Sequence, residues 1–171
     1  MKQHSSHHVT FVIERKYAAS PARVFAAWAD PAVKAGWFNG PSSWLTDGYV
    51  LDFRVGGREH LRTGAPGGKV HQYDCCYQDI VPEARIVYSY DMHIGDTRIS
   101  VSLATVEFQA DGGGTLMKFT EQAVFLDGYD DSGGRERGTN ELLSKLAALR
   151  LELRRGRRPG DRVRRSGDSG P

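Results

Sequence analysis

The chain has 171 residues, of which 39% are hydrophobic, 10% aromatic and 26% charged, with a formal net charge of +2. That supplies one domain with a real core, and no apolar run approaches the roughly 20 residues a membrane helix needs. The opening MKQHSSHH has no apolar stretch of the kind that directs secretion, so neither membrane insertion nor export is expected, and a cytoplasmic location follows.

The first eight residues read as a disordered N-terminus, and the first element is a strand, VTFVIERKY, residues 9 to 17, rich in β-branched side chains. SPARVFAAWADP follows as a helix, with Ser20 at the N-cap, Pro21 at the first helical position and Val24, Phe25 and Trp28 on one face. Pro31 breaks it, and PAVKAGWFNGP predicts a second short helix ending near Gly36, with Trp37 and Phe38 just beyond. From Gly48 to Phe125 the pattern is about six strands separated by turn chemistry at Gly56-Gly57, GAPGG, PEA, HIGDT and DGGG, so an antiparallel meander is expected.

In the last third the apolar spacing lengthens. Leu142, Leu146, Leu149 and Leu153 recur at helical intervals, widened by Leu143 and Ala147, which predicts a C-terminal helix of some five turns. From Arg154 to Pro171 the sequence holds seven arginines against two aspartates, leaving residues 1 to 153 mildly acidic. This basic tail is too poor in apolar residues to fold alone and reads as disordered; lacking interleaved aromatics, it makes nucleic-acid binding unlikely. The domain proper therefore spans residues 9 to 153.

Strand, two short helices, about six more strands and a long helix define an α+β layer structure: a curved antiparallel sheet of about seven strands with the last helix across one face. Turn parity about DGGG pairs Phe108 with Met117, Val106 with Phe119, Ala104 with Glu121 and Ser102 with Ala123. The same argument with a five-residue turn at 93 to 97 sets Tyr90 opposite Ser100 and Tyr88 opposite Ser102. Tyrosines beside Ser and Ala leave space that a close-packed core would fill, so the sheet and the helix are expected to enclose a hydrophobic cavity.

Two acids fall on that inner face. Glu121 shares it with Met117, Phe119, Ala123 and Phe125. Glu59 and Leu61 reach it if alternation from Leu51, Phe53 and Val55 runs on through Gly56-Gly57. A carboxylate among apolar groups needs a cation, a hydrogen-bonding partner or water; for Glu121 the candidates are Arg135, Arg137 or a tyrosine hydroxyl, with ligand contact or acid–base catalysis as alternatives. The aromatic lining is read as Trp37, Phe38, Phe53, Tyr73, Tyr77, Tyr88, Tyr90 and Phe125, with Leu142 and Leu146 contributed by the helix. The phase of residues 69 to 80, which carry Tyr73 and Tyr77, stays open. Adjacent Cys75 and Cys76 point to opposite faces and read as reduced thiols. His60, His71 and His93 lack metal-ligand spacing, and no cofactor motif is present, so neither metal nor cofactor is expected.

The ordered set SPARVFAAWADP, WF with a following Pro41, DFRVGGRE, DIVPEARIVYSYDM, SVSLATVEF, GTLMKFTEQAVFLDG and RERGTNELLSKL resembles the START-like (SRPBCC, polyketide cyclase-like) superfamily. Within it the resemblance is to the domain named after the activator of heat-shock protein 90 ATPase, and it covers about Val9 to Leu153. It implies a helix-grip fold with a cavity between sheet and C-terminal helix. It also implies a set of alternatives: binding of a small hydrophobic molecule, cyclase, aromatase or hydrolase chemistry in the same cavity, or a chaperone-activating module. A homodimer through an edge strand is compatible with all of them.

Overall fold

The computed structural model describes residues 4–129 and 133–149. Ten elements follow in chain order: β1 (Ser6–Tyr17), α1 (Pro21–Ala29), α2 (Pro31–Ala35), β2 (Leu45–Leu51), β3 (Arg58–Gly64), β4 (His71–Val81), β5 (Arg85–Ile94), β6 (Thr97–Asp111), β7 (Gly114–Leu126) and α3 (Gly134–Ala148). The strands form one antiparallel sheet in the order β1-β7-β6-β5-β4-β3-β2, so β2 to β7 are a meander of hairpins and β1 closes on β7. No helix among the described residues is long and apolar enough to cross a membrane.

β1 begins three residues before the expected Val9, because Ser6, His7 and His8 pair with Leu126, Phe125 and Val124. Just outside the strand, the Ser5 amide donates to Asp127 Oδ1 and the Ser5 carbonyl accepts from the Asp127 amide. Main-chain pairing, which needs no apolar side chain, orders a stretch that composition alone assigned to a loose end.

The β6–β7 register is the one expected, Ala104 against Glu121 and Val106 against Phe119. Between β5 and β6 the turn is tighter than expected: Gly95 and Asp96 make it, a bulge at Met92/His93 shifts the register, and Tyr90 faces Ser102 while Tyr88 faces Ala104. The slip is two residues, so every side chain stays on its expected face. On β4 the open phase resolves with Tyr73, Cys75 and Tyr77 buried on the concave side and both cysteines free.

Phe53 and Val55 do not extend a strand. β2 ends at Leu51, and the chain turns through Gly56 and Gly57, whose amide and carbonyl bond Tyr77 on β4. Gly56 has a φ of +78°, and a Cβ on Gly57 would collide with the Asp52 carbonyl. Val55 is consequently solvent-exposed rather than inward. Glu59 and Leu61 still face inward, because the register is set by β4 pairing (Glu59 with Cys75, Leu61 with Tyr73) and not by continuation through the glycines.

α1 buries Val24, Ala27 and Trp28 against the sheet, with Trp28 edge-on to Trp37 and stacked over Phe119. Each such fully buried large side chain contributes about 1.5–3 kcal/mol of transfer free energy. Ser20 sits at the N-cap of α1 without a side-chain bond, whereas Asp30 caps α2 through the Ala32 and Val33 amides. α3 lays Leu143 and Leu146 into the core, while Ala147, expected to widen the stripe, is exposed. The helix ends at Ala148, with Leu149 in extended conformation as its C-cap, so it is shorter than the expected five turns. Arg150 to Leu153 and the basic tail lie outside the described residues.

Candidate functional site

Two buried acids organise the concave face, and the structure gives them different surroundings. Glu59 on β3 is 1% exposed and lies 2.8 Å from the Lys34 ammonium, itself wholly buried on α2. The Tyr77 hydroxyl donates to the same carboxylate oxygen at 2.7 Å, and the Tyr49 hydroxyl donates to the other at 2.8 Å. Lys34 also donates to the Tyr77 hydroxyl and sits over the rings of Trp28, Trp37, Phe38 and Tyr77. The rings supply the ammonium with cation–π stabilisation in place of water. Every polar atom of this cluster has a partner, and the cluster fastens α2 to β3 and β4.

Glu121 on β7 is fully buried, and its Oε1 accepts from the Tyr90 hydroxyl at 2.6 Å and from Arg135 Nη1 at 3.2 Å. Arg135, in the first turn of α3, also donates to the Tyr90 hydroxyl, Ser102 Oγ and, through Nη2, Ser100 Oγ. Its guanidinium packs over the Phe125 and Tyr90 rings. One arginine thus ties the start of α3 to β5, β6 and β7. Glu121 Oε2, in contrast, is buried and has no hydrogen-bond partner among the described residues.

Above this polar end lies a cavity of about 980 Å³ between the concave sheet face and α3. Seven of the residues expected at the site line it: Trp37, Phe38, Tyr73, Tyr88, Tyr90, Glu121 and Leu142. Five do not. Phe53 packs edge-on against Phe25 and Tyr77 beneath α1, and Leu146 is buried in the core. Phe125 carries Arg135, while Glu59 and Tyr77 are closed off by Lys34. They form a layer beneath the wall rather than the wall.

Residues that sequence reasoning passed over complete the site. The segment from Gly36 to Trp44 forms one rim, and Lys145 on α3 holds it by donating to the Asn39 and Gly40 carbonyls and to Asn39 Oδ1. The Trp44 ring lies tilted against His71 with centroids 4.7 Å apart, both on the cavity wall, and burial holds the His71 ring below its ordinary pKa. A lysine in PAVKAGWF carries no local sign of burial. The available signal was indirect, since an inward Glu59 requires a cation and Lys34 lies on the helix opposite.

Burial, reinforced by the neighbouring carboxylates, raises the hydroxyls of Tyr73, Tyr77, Tyr88 and Tyr90 above the ordinary tyrosine range. They are held as neutral donors, in ring contact in a continuous series in which Tyr77 meets Tyr88 edge-on, and Tyr88 meets Tyr90 and Tyr90 meets Tyr73 at a tilt. Among the described residues no group of three His, Cys, Asp or Glu side chains could hold a metal ion.

A curved antiparallel sheet gripping a C-terminal helix around a cavity defines the helix-grip class of the START-like superfamily. The family described as Activator of Hsp90 ATPase homolog 1-like protein matches residues 18–150, and the chain belongs to that family. No curated protein matches it. Among solved structures it is similar to a protein of Rhizobium leguminosarum, 51% identical over 85% of this chain and 96% of that one, with a TM-score of 0.82. It is also similar to Mll3558 of Rhizobium loti, 48% identical over 84% and 98% of the two chains, with a TM-score of 0.78. An AHSA1-like protein of Aeromonas hydrophila, 24% identical over 85% of this chain and 96% of that one, shares the fold at a TM-score of 0.66.

Proposed function

We propose that the protein binds a small, largely apolar or aromatic molecule in the cavity between the concave sheet face and α3. The observation that carries this reading is the cavity itself: about 980 Å³, walled largely by aromatic rings, with the Glu121–Tyr90–Arg135 cluster in one part of the wall and a polar rim about Asn39 and Lys145. Its volume falls at the upper end of the roughly 300–1,000 Å³ typical of small-molecule sites. Trp37, Phe38, Tyr73 and Tyr88 supply flat apolar contact at little cost in rotamer entropy, Leu142 closes over the ligand from the helix, and Glu121 with Tyr90 orients its polar group. Phe53, Glu59, Tyr77, Phe125 and Leu146 keep the wall in place from behind.

The test is native mass spectrometry of freshly purified protein together with titration by an environment-sensitive hydrophobic dye. A retained small molecule, or saturable dye binding at one site per chain, is expected. A protein that carries nothing and takes up no dye would reject the reading.

A further inference from the structure

Tyr73, Tyr77, Tyr88 and Tyr90 stand side by side on the concave face, and three of their hydroxyls are committed. Tyr73 and Tyr77 donate to Glu59, and Tyr90 donates to Glu121. Tyr88, 5% exposed and on the cavity wall, has no hydrogen-bond partner for its hydroxyl among the described residues. Across the sheet it meets Ala104, which has no polar side-chain atom, and Tyr77, whose hydroxyl is held by Glu59 and Lys34. Among the described residues the polar side-chain atoms closed off without a partner are Trp28 Nε1, Arg62 Nε and Glu121 Oε2. The Tyr88 oxygen is not one of them, because it keeps contact with the open space that its ring lines. Of the four phenols, Tyr88 is the one with a proton left to give into the cavity.

In the open cavity water can serve that hydroxyl. A ligand that fills the cavity displaces the water, and either supplies an acceptor in its place or leaves the donor bare. Burial first, then the neighbouring Tyr90 and the carboxylates, holds the phenol protonated, so it meets a ligand as a donor and not as an anion. Two further features narrow the acceptor. Each carboxylate here is matched to one cation, Glu121 to Arg135 and Glu59 to Lys34, so this part of the wall offers no surplus positive charge to a buried anion. A ligand hydroxyl can accept from Tyr88 but brings a proton of its own, and Glu121 Oε1 already accepts two bonds. We infer that the ligand is an aromatic or polycyclic molecule carrying a neutral carbonyl, as in a ketone, quinone or lactone, whose oxygen accepts from the Tyr88 hydroxyl beside the Glu121–Tyr90–Arg135 cluster. The inference rests on the binding reading above and narrows it to a chemical class.

Three probes of one shape test it on the intact chain at neutral pH, each by displacement of a bound hydrophobic dye: fluorene, fluorenol and fluorenone. Fluorenone is expected to bind most tightly. Tyr88→Phe deletes an oxygen that bonds nothing else in the protein, so the fold should be kept, and the affinity ratio of fluorenone to fluorene is expected to fall by about three- to tenfold, the range for a neutral hydrogen bond. The carbonyl stretch of bound fluorenone should lie below its frequency in hydrocarbon solvent and return towards it in Tyr88→Phe. A ratio that Tyr88→Phe leaves unchanged overturns the inference while the binding reading stands, as does tighter binding of fluorenol than of fluorenone, or a dye that none of the three displaces. A protein that takes up neither dye nor probe rejects the binding reading and this inference with it. Should Tyr88→Phe not fold, the order of the three probes and the carbonyl stretch in the unaltered protein still decide.

Discussion

Lys34 on α2 and Glu59 on β3 form an ion pair of 2.8 Å in which neither side chain is exposed to solvent. The pair costs two desolvations, and its retention depends on the Tyr49 and Tyr77 hydroxyls and on the ring cage around the ammonium. Removing either charge leaves the other buried and uncompensated. Lys34→Met and Glu59→Leu are each expected to lower unfolding free energy by about 3–5 kcal/mol, and the double replacement to lose less than the sum of the two. Urea denaturation of the four proteins measures this coupling; strictly additive losses would show that the pair is not a unit.

Arg135 joins α3 to three strands through one guanidinium. Arg135→Leu strands Glu121 beside Tyr90 and leaves two serine hydroxyls without this donor. The guanidinium keeps some contact with solvent, so the expected loss is smaller than for Lys34, about 2–3 kcal/mol. Ser100→Ala removes one of its acceptors and should cost about 1 kcal/mol. Hydrogen exchange at the start of α3 should accelerate in Arg135→Leu well beyond any change in β4, and a uniform acceleration would argue against a local anchoring role.

Leu142 faces the cavity from α3 and is only half-buried, so a larger side chain can grow into empty space rather than into packed atoms. Leu142→Trp is expected to change stability by no more than about 1 kcal/mol, within the range of substitutions that do not disturb the core. Dye affinity should fall at least tenfold because the bound volume is occupied. Unchanged dye affinity would place the binding site elsewhere.

The pH dependence follows from the tyrosines. Burial pushes the Tyr17 hydroxyl from 10.0 up to about 12, and Tyr49, Tyr73, Tyr77, Tyr88 and Tyr90 are raised above 10.0 as well. For an acid with a raised folded-state pKa, the unfolded chain loses its proton first as pH climbs. Stability is therefore intact below pH 10 and declines from pH 10 upward, the Tyr17 contribution being spent by about pH 12. Ultraviolet titration should show these six hydroxyls resisting ionisation until unfolding releases them together; gradual titration of the folded protein near pH 10 would contradict the packing described.

Adjacent cysteines offer an internal control. Cys75 is buried and its thiol is pushed from 9.0 up to about 12, chiefly by burial, whereas Cys76 on the opposite face is only half-buried. At pH 8 an alkylating reagent should modify Cys76 at least about a hundredfold faster, since the thiolate is the reactive form. Comparable rates would mean that β4 opens readily.

Much of the architecture is legible in the chain because its signals are local. The Pro21 and Pro31 starts, the helical leucine spacing and the glycine turns each act over a few residues, and alternation then assigns Tyr88, Tyr90, Phe119 and Glu121 to one face. Those assignments survive the two-residue slip between β5 and β6, one residue from the tighter turn and one from the bulge at Met92/His93, because a strand repeats every two residues. The assignment of Val55 fails because alternation was carried through a glycine turn, where the period of two no longer applies.

By itself, then, the sequence determined the order of elements, the inward face of most strands and the presence of two acids on it, all consequences of short-range periodicity and turn chemistry. It also named Arg135 among the possible partners of Glu121. Only the tertiary structure decided that Lys34 is buried, that it takes Glu59 out of the cavity, and that Glu121 on the cavity wall is held by Tyr90 and Arg135. Those facts depend on contacts between residues 14 to 43 positions apart, on five different elements brought together by the curvature of the sheet. No local pattern encodes them, because a side chain's burial and its last hydrogen bond are set by whichever element folds down on top of it.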